Sequence, residues 1–191
     1  MKQGHADGQD QTDLTRTLIC RLRQGDERAA SLLDAVYRTR LLRFSQGYLG
    51  NRSEAEDVVQ DVFYRVLASD VVPERFRAWV YRITRNRCLD LLRARLHRGA
   101  EEKLAEDLQL PAGVTGKLTR MVRQERQERL HRMLKSLPLH QQEVIRLRYA
   151  ENLSRPEIAE VLDLAESVVK SRIFEGLEAL RRQAARPEKE L

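Results

Sequence analysis

The sequence predicts an all-α protein: two small helical domains joined by a flexible linker, the C-terminal one containing a helix-turn-helix. Three observations lead there. Apolar residues recur at steps of three and four along nearly every periodic stretch, with no convincing strand-type alternation. Composition changes abruptly at Gly99, where an acidic, Pro- and Gly-bearing stretch begins. Two helical patterns, at 154–162 and about 166–182, are separated by only three or four residues. The expected boundaries are a disordered start over 1–13, a helical domain over 14–98, a linker over 99–121, a second helical domain over 122–186 and a tail over 187–191.

Taken in order, Leu14 to Leu22 forms a short amphipathic pattern that stops near Gly25. Leu33, Val36, Tyr37, Leu41, Phe44 and Tyr48 mark the next helix, closed by Gly50 and Asn51, which tolerate left-handed backbone. Ser53-Glu54-Ala55-Glu56 reads as a capping box that opens a third helix. Its apolar face is Ala55, Val58, Val59, Val62, Phe63, Val66 and Leu67. After a break at Asp70–Pro73, a long helix is expected from about Glu74 to His97, with Phe76, Trp79, Val80, Ile83 and Arg87 along one side.

Past the linker, Leu130, Leu134 and Leu137 lead to Pro138, then Val144, Ile145, Leu147 and Tyr149, with a turn at Asn152-Leu153. Ser154-Arg155-Pro156-Glu157 is a second capping box, with Pro156 where no amide partner is lost. Ile158, Ala159, Val161 and Leu162 form that helix's inner side. The last helix carries Val168, Val169, Ile173, Leu177 and Leu180 as its apolar residues.

Composition excludes several classes. The chain has 191 residues, 41% hydrophobic and 34% charged, unlike collagen, low-complexity or fully disordered chains. No run approaches the ~18 apolar residues of a membrane span, and Met1 to Asp7 lacks a signal peptide's apolar core, so a cytoplasmic protein is expected. Cys20 and Cys88 match no metal spacing and are expected to be buried and reduced; the four histidines form no ligand pattern. With no nucleophile–base arrangement and no phosphate-cradling glycine loop, neither an enzyme nor a cofactor is expected.

Charge is sorted along the chain. Lys and Arg number 35 against 29 Asp and Glu, a net +6 that suits a polyanion partner. Residues 28–70 carry six Arg and six acidic groups, whereas 71–98 carry eight Arg against Glu74 and Asp90. In the last two helices, Ala159 is small where they would cross, Leu164 plugs the turn, and Asp163 stands where glycine is commonest. Glu166, Ser167, Lys170, Ser171 and Glu175 are left for the exposed face, with Arg172 at its edge. They suit a DNA major groove, or else simply a solvated helical hairpin.

The segments Leu137-Pro138-Leu139-His140-Gln141-Gln142-Glu143-Val144, Leu153 to Leu162 and Val169-Lys170-Ser171-Arg172-Ile173 together resemble the promoter-reading C-terminal domain of bacterial sigma factors, in particular the extracytoplasmic-function (ECF) group. Independently, Ser53 to Phe63 resembles that family's core-polymerase-binding helix. Phe76 to Ile83, with Asn86 and Asp90, resembles its promoter-melting helix. The chain departs from the family pattern in two places. Ser167-Val168 replaces the usual Gly-Thr pair, and Ala165 stands where Pro or Ser is common.

The resemblance implies a sigma factor that binds bacterial RNA polymerase core and promoter DNA and is controlled by an anti-sigma factor, with no small-molecule substrate and no membrane insertion of its own. It implies −35 contacts from Arg155, Glu166, Ser167, Lys170, Ser171, Arg172 and Glu175. Arg75, Arg82 and Arg93 share one side of the basic helix and would track phosphates; Trp79, Tyr81 and Asn86 are candidates for bases of the −10 element. Trp79 suits the core better than a base contact, since it lies on the apolar stripe with Phe76, Val80 and Ile83, and Asn86 equally suits a hydrogen bond to Asp90. Glu54, Asp57, Gln60 and Asp61 would face the polymerase, although acidic groups favour any helix N-terminus by ~0.3–1 kcal/mol.

The acidic run Glu101–Asp107 would imitate nucleic acid in the polymerase's RNA path, or is plain solvated charge. As coil, 99–121 would span roughly 25 Å, and at most about 75 Å stretched. Two readings compete with the sigma factor: a helix-turn-helix regulator of duplex DNA that never joins a polymerase, and a helical adaptor that uses its acidic face.

Overall fold

The computed structural model describes residues 6–69, 73–98, 129 and 132–185. Among them every regular element is helical and no strand occurs. The chain divides into two units. The first contains α1 (Ala6–Arg23), α2 (Glu27–Leu49), α3 (Arg52–Ala68) and α4 (Phe76–Arg98). The second contains a helical turn at 132–135, then α5 (Leu139–Ile145) running into a π-helical turn (Arg146–Ala150), α6 (Arg155–Leu162) and α7 (Glu166–Ala184). Among the described residues no helix is long and apolar enough to cross a membrane. The expected linker over 99–121 with its acidic run, the tail over 187–191, Asp70 to Val72 and Leu130 lie outside the described residues.

Aromatic and branched side chains fill the first unit's core. Leu33, Tyr37, Leu41 and Phe44 of α2 meet Val58, Val59 and Val62 of α3, as the spacing predicts. Tyr37 sits edge-on to Phe76 at 5.5 Å and Phe44 edge-on to Tyr81 at 5.1 Å. Such pairs add about 0.5–1.5 kcal/mol beyond their buried area. Tyr37 keeps its hydroxyl satisfied through Thr15 of α1, 3.0 Å away.

Local chemistry sets the helix ends. Asp26 caps α2, its Oδ1 accepting the Arg28 amide at 3.0 Å. Gly50 closes α2 in left-handed backbone at φ 65°, its amide donating to the Gln46 carbonyl at 2.9 Å.

Four expectations are corrected here. First, α1 begins at Ala6 rather than Leu14, so helix covers much of the stretch expected to be disordered. Its first turns carry no apolar stripe in the sequence to reveal them. Second, Asn51 and not Ser53 caps α3. Gly50 alone supplies the left-handed residue, which leaves Asn51 extended at φ −116° with Oδ1 accepting the Glu54 amide. Third, the buried side of α4 is Phe76, Val80, Tyr81, Thr84 and Cys88, rotated from the expected stripe, with Trp79, Ile83 and Arg87 only half-buried. Fourth, of the two cysteines only Cys88 is buried; Cys20 is exposed.

In the second unit Leu137, Val144, Ile145, Leu147, Leu153, Ile158 and Val169 form the core. Pro138 stands at the cap of α5. The π-helical turn was not legible in the sequence. Its extra residue changes the helical register, and Tyr149, which follows the buried Val144, Ile145 and Leu147 in the sequence, ends up 59% exposed. Asn152, left-handed at φ 55°, then turns the chain. Leu153 is fully buried, and its amide reaches the Leu147 carbonyl at 2.9 Å.

Candidate nucleic-acid interface

The α6–α7 hairpin is built from local rules. Ser154 and Glu157 complete the expected capping box: the Ser154 hydroxyl accepts the Glu157 amide, and the Glu157 carboxylate accepts the Ser154 amide at 2.7 Å. Pro156 lies in the first turn. At the other end Asp163 is left-handed, at φ 56° and ψ 52°, as its position demands. The Leu164 amide then returns to the Ala159 carbonyl at 2.9 Å and fixes the turn. Ala165 opens α7 without a side-chain cap.

Val169 is fully buried, which sets the rotation of α7. Glu166, Ser167, Lys170, Ser171 and Glu175 are therefore exposed and Arg172 is half-exposed, while Arg155 is exposed at the start of α6. Ser167, Val168, Ser171, Arg172 and Glu175 line a shallow groove, and its remaining wall is His140 of α5. Gln141 Nε2 donates to Glu175 Oε2 at 3.3 Å and ties α5 to the same face. Neither His140 nor Gln141 was singled out from the sequence, because both precede the hairpin by more than a dozen residues.

On α4 the exposed residues Arg82, Asn86 and Arg93 lie along one side, with Arg75 exposed just before the helix. Asp90 bonds Arg93 at 2.9 Å. Trp79 is half-buried, its ring tilted against Phe76 with centroids 5.7 Å apart. Tyr81 does not belong with this group. It is 1% exposed and packed on Phe44, so a base cannot stack on it without opening the core. The apolar residues on nearly all sides of this helix hid which side faces inward.

The acidic residues of α3 separate into two kinds. Asp57 and Gln60 are exposed. Asp61 accepts Arg87 Nε at 2.9 Å, and Glu54 pairs with Arg95, whose other nitrogen reaches the Leu49 carbonyl at 3.1 Å. Two arginines of α4 thus hold two carboxylates of the antiparallel α3. Phe63, expected in the core, is half-buried with the Arg38 guanidinium 5.5 Å over its ring. The doubly bonded Asp34 raises the pKa of that guanidinium. Among the described residues no group of three or more His, Cys, Asp or Glu is placed to hold a metal ion.

Comparison with known proteins gives the family. Residues 33–98 match the family described as Sigma-70 region 2, and residues 127–180 match Sigma-70, region 4. The RNA polymerase sigma-H factor of Pseudomonas aeruginosa is 31% identical over 173 residues, covering 85% of this chain and 90% of that protein. The solved structure of CnrH in complex with the cytosolic domain of CnrY is 28% identical and superposes with a TM-score of 0.64, covering 90% of this chain and 97% of that one. The ECF RNA polymerase sigma factor SigW of Bacillus subtilis is 31% identical over 175 residues. Since that match takes in 86% of this chain and 94% of SigW, the chain belongs to the ECF RNA polymerase sigma factors.

Proposed function

We propose that the protein is a dissociable specificity subunit of bacterial RNA polymerase, reading a −10 element with its first unit and a −35 element with its second. Residues 14–98 are taken as the core- and −10-binding domain, 99–121 as the linker and 122–186 as the −35 domain. It performs no covalent step and needs no cofactor. Opening a promoter requires only that unstacked bases be held better than paired ones. Base stacking on protein contributes about 1–3 kcal/mol per base, against about 1.4 kcal/mol per duplex step lost. Two or three well-held bases therefore shift the balance.

The observation that carries this reading is the sorting of charge between two adjacent helices. Arg82, Asn86 and Arg93 are exposed on α4, and Asp57 and Gln60 on α3. In this reading Arg75, Arg82 and Arg93 track phosphates, and Trp79 and Asn86 hold −10 bases. Glu54, Asp57, Gln60 and Asp61 meet core polymerase. Arg155, Glu166, Ser167, Lys170, Ser171, Arg172 and Glu175 meet the −35 duplex, with Lys and Arg on phosphates and guanine edges.

The protein works in the cytoplasm, where the polymerase is. CnrH is held by the cytosolic domain of a second protein. An anti-sigma factor acting in that manner is expected here.

Co-elution with sigma-free core polymerase at moderate salt tests the class. Stable association, competed by another sigma factor, supports it; failure of a folded sample to associate overturns it. Within that assay Lys170→Ala with Arg172→Ala spares association and weakens −35-dependent transcription.

A further inference from the structure

We infer that His140, which lies outside the helix-turn-helix, is a further DNA-contacting residue that holds a backbone phosphate of the duplex read by α7. The inference rests on the reading of α7 as the −35 helix.

The packing of α5 on α7 brings His140 there. Gly176 of α7 is buried, and a Cβ built on it would stand 2.6 Å from Ile145 Cδ1 and 3.4 Å from Gln141 Cβ, both on α5. The missing side chain lets α5 lie close along α7. Gln141 then reaches Glu175, and the neighbouring His140 forms a wall of the groove beside Ser167, Ser171 and Arg172.

The groove's chemistry fits an anionic oxygen. Two hydroxyls, a guanidinium and an imidazole supply donors. Its one carboxylate, Glu175, is occupied by the Gln141 amide at 3.3 Å. The groove is shallow and open, and four of its six lining residues, Ser167, Ser171, Arg172 and Glu175, belong to the face proposed to read DNA. A phosphate flanking the bases read by α7 is thus the occupant that suits it.

The test uses holoenzyme reconstituted with the full chain. Its probe is a duplex promoter fragment selected from random-sequence DNA by the wild-type holoenzyme. Because His140 is exposed, substitutions there leave folding intact. His140→Lys should tighten binding several-fold and steepen the slope of log affinity against log salt by up to about 0.9, the value of one phosphate neutralised by a full positive charge. His140→Glu should weaken binding by a similar factor. Leu139→Lys is the control for general charge, at a neighbouring residue that is 72% exposed and does not line the groove. It should leave the slope unchanged.

Equal effects of the two lysine variants, or none from either, would overturn the inference. Lys170→Ala with Arg172→Ala is measured alongside. If that variant binds like wild type while His140→Lys still steepens the slope, α7 is not the reader but His140 does meet DNA. If neither responds, both readings fall.

Discussion

Arg87 Nε lies 2.9 Å from Asp61 Oδ2 and ties the basic helix α4 to the acidic side of α3. Two turns away Arg95 holds Glu54 in the same way. The carboxylates proposed to meet polymerase are thus positioned by the helix proposed to meet DNA. The side chains of the Arg87–Asp61 pair are 37% and 47% exposed. Solvent screening therefore limits its stability contribution to about 0–1 kcal/mol.

That separation can be measured. Asp61→Asn and Arg87→Ala should each lower unfolding free energy by less than about 1 kcal/mol. Asp61→Asn should weaken association with core polymerase several-fold, and Asp61→Arg should impair it further. Arg87→Ala should retain most of it. Asp61→Arg assembling holoenzyme normally would remove Asp61 from the docking surface.

The two caps of the hairpin give opposite expectations. Ser154→Ala removes the hydroxyl that accepts the Glu157 amide, leaves the backbone arm of the capping box in place and should cost about 0.5–2 kcal/mol. Ala165→Ser should regain stability of similar size, because Ala165 already has the extended backbone of a cap, φ −66° and ψ 145°, without a side-chain acceptor. Urea denaturation monitored by circular dichroism would show both shifts. No gain from Ala165→Ser would mean that its hydroxyl cannot reach the first-turn amides.

Gly176 and Ile145 should be coupled. Gly176→Ala gains about 0.5–1 kcal/mol of helix propensity but requires Ile145 Cδ1 to move. In an Ile145→Val background that methyl is absent, and the same substitution should be more favourable than in wild type. A double-mutant cycle on melting temperature reads the difference. Equal effects in the two backgrounds would argue against close approach at this point.

Asp26 should give an acid-sensitive cap. The Arg21 side chain chiefly, and with it the Arg28 and Ala29 amides, holds the Asp26 carboxyl below its usual range despite partial desolvation. A lowered folded-state pKa means the stabilisation is present above the unfolded-state value and is lost as pH falls through the folded one. Asp26→Asn should keep the cap acceptor and lose this pH dependence. Comparison of urea midpoints from neutral to acidic pH tests it, and parallel curves for the two proteins would refute it.

Most of what was legible came from interactions within about four residues along the chain. Helix periodicity, left-handed Gly50 and Asp163, and the Ser154 capping box all have this local origin. The Ser53 cap failed on the same scale, since Asn51 lay two residues away and competed for the same role. On α7 the local pattern picked out the polar residues of the exposed face but grouped Val168 with Val169, and only Val169 is buried while Val168 is 37% exposed beside those polar residues.

The sequence by itself determined an all-helical chain, its helix-turn-helix and the sorting of charge along it. Tertiary structure alone decided which way α4 faces, burying Tyr81 and leaving Trp79 half-exposed. It also decided that Arg87 and Arg95 would hold acidic residues 26 and 41 positions away, and that His140 would join α7 in one groove. The physical reason is that a helix apolar on several sides has no preferred inward direction until its neighbours are in place. Ion pairs and close approaches between distant residues likewise depend on how those helices pack, which no local periodicity records.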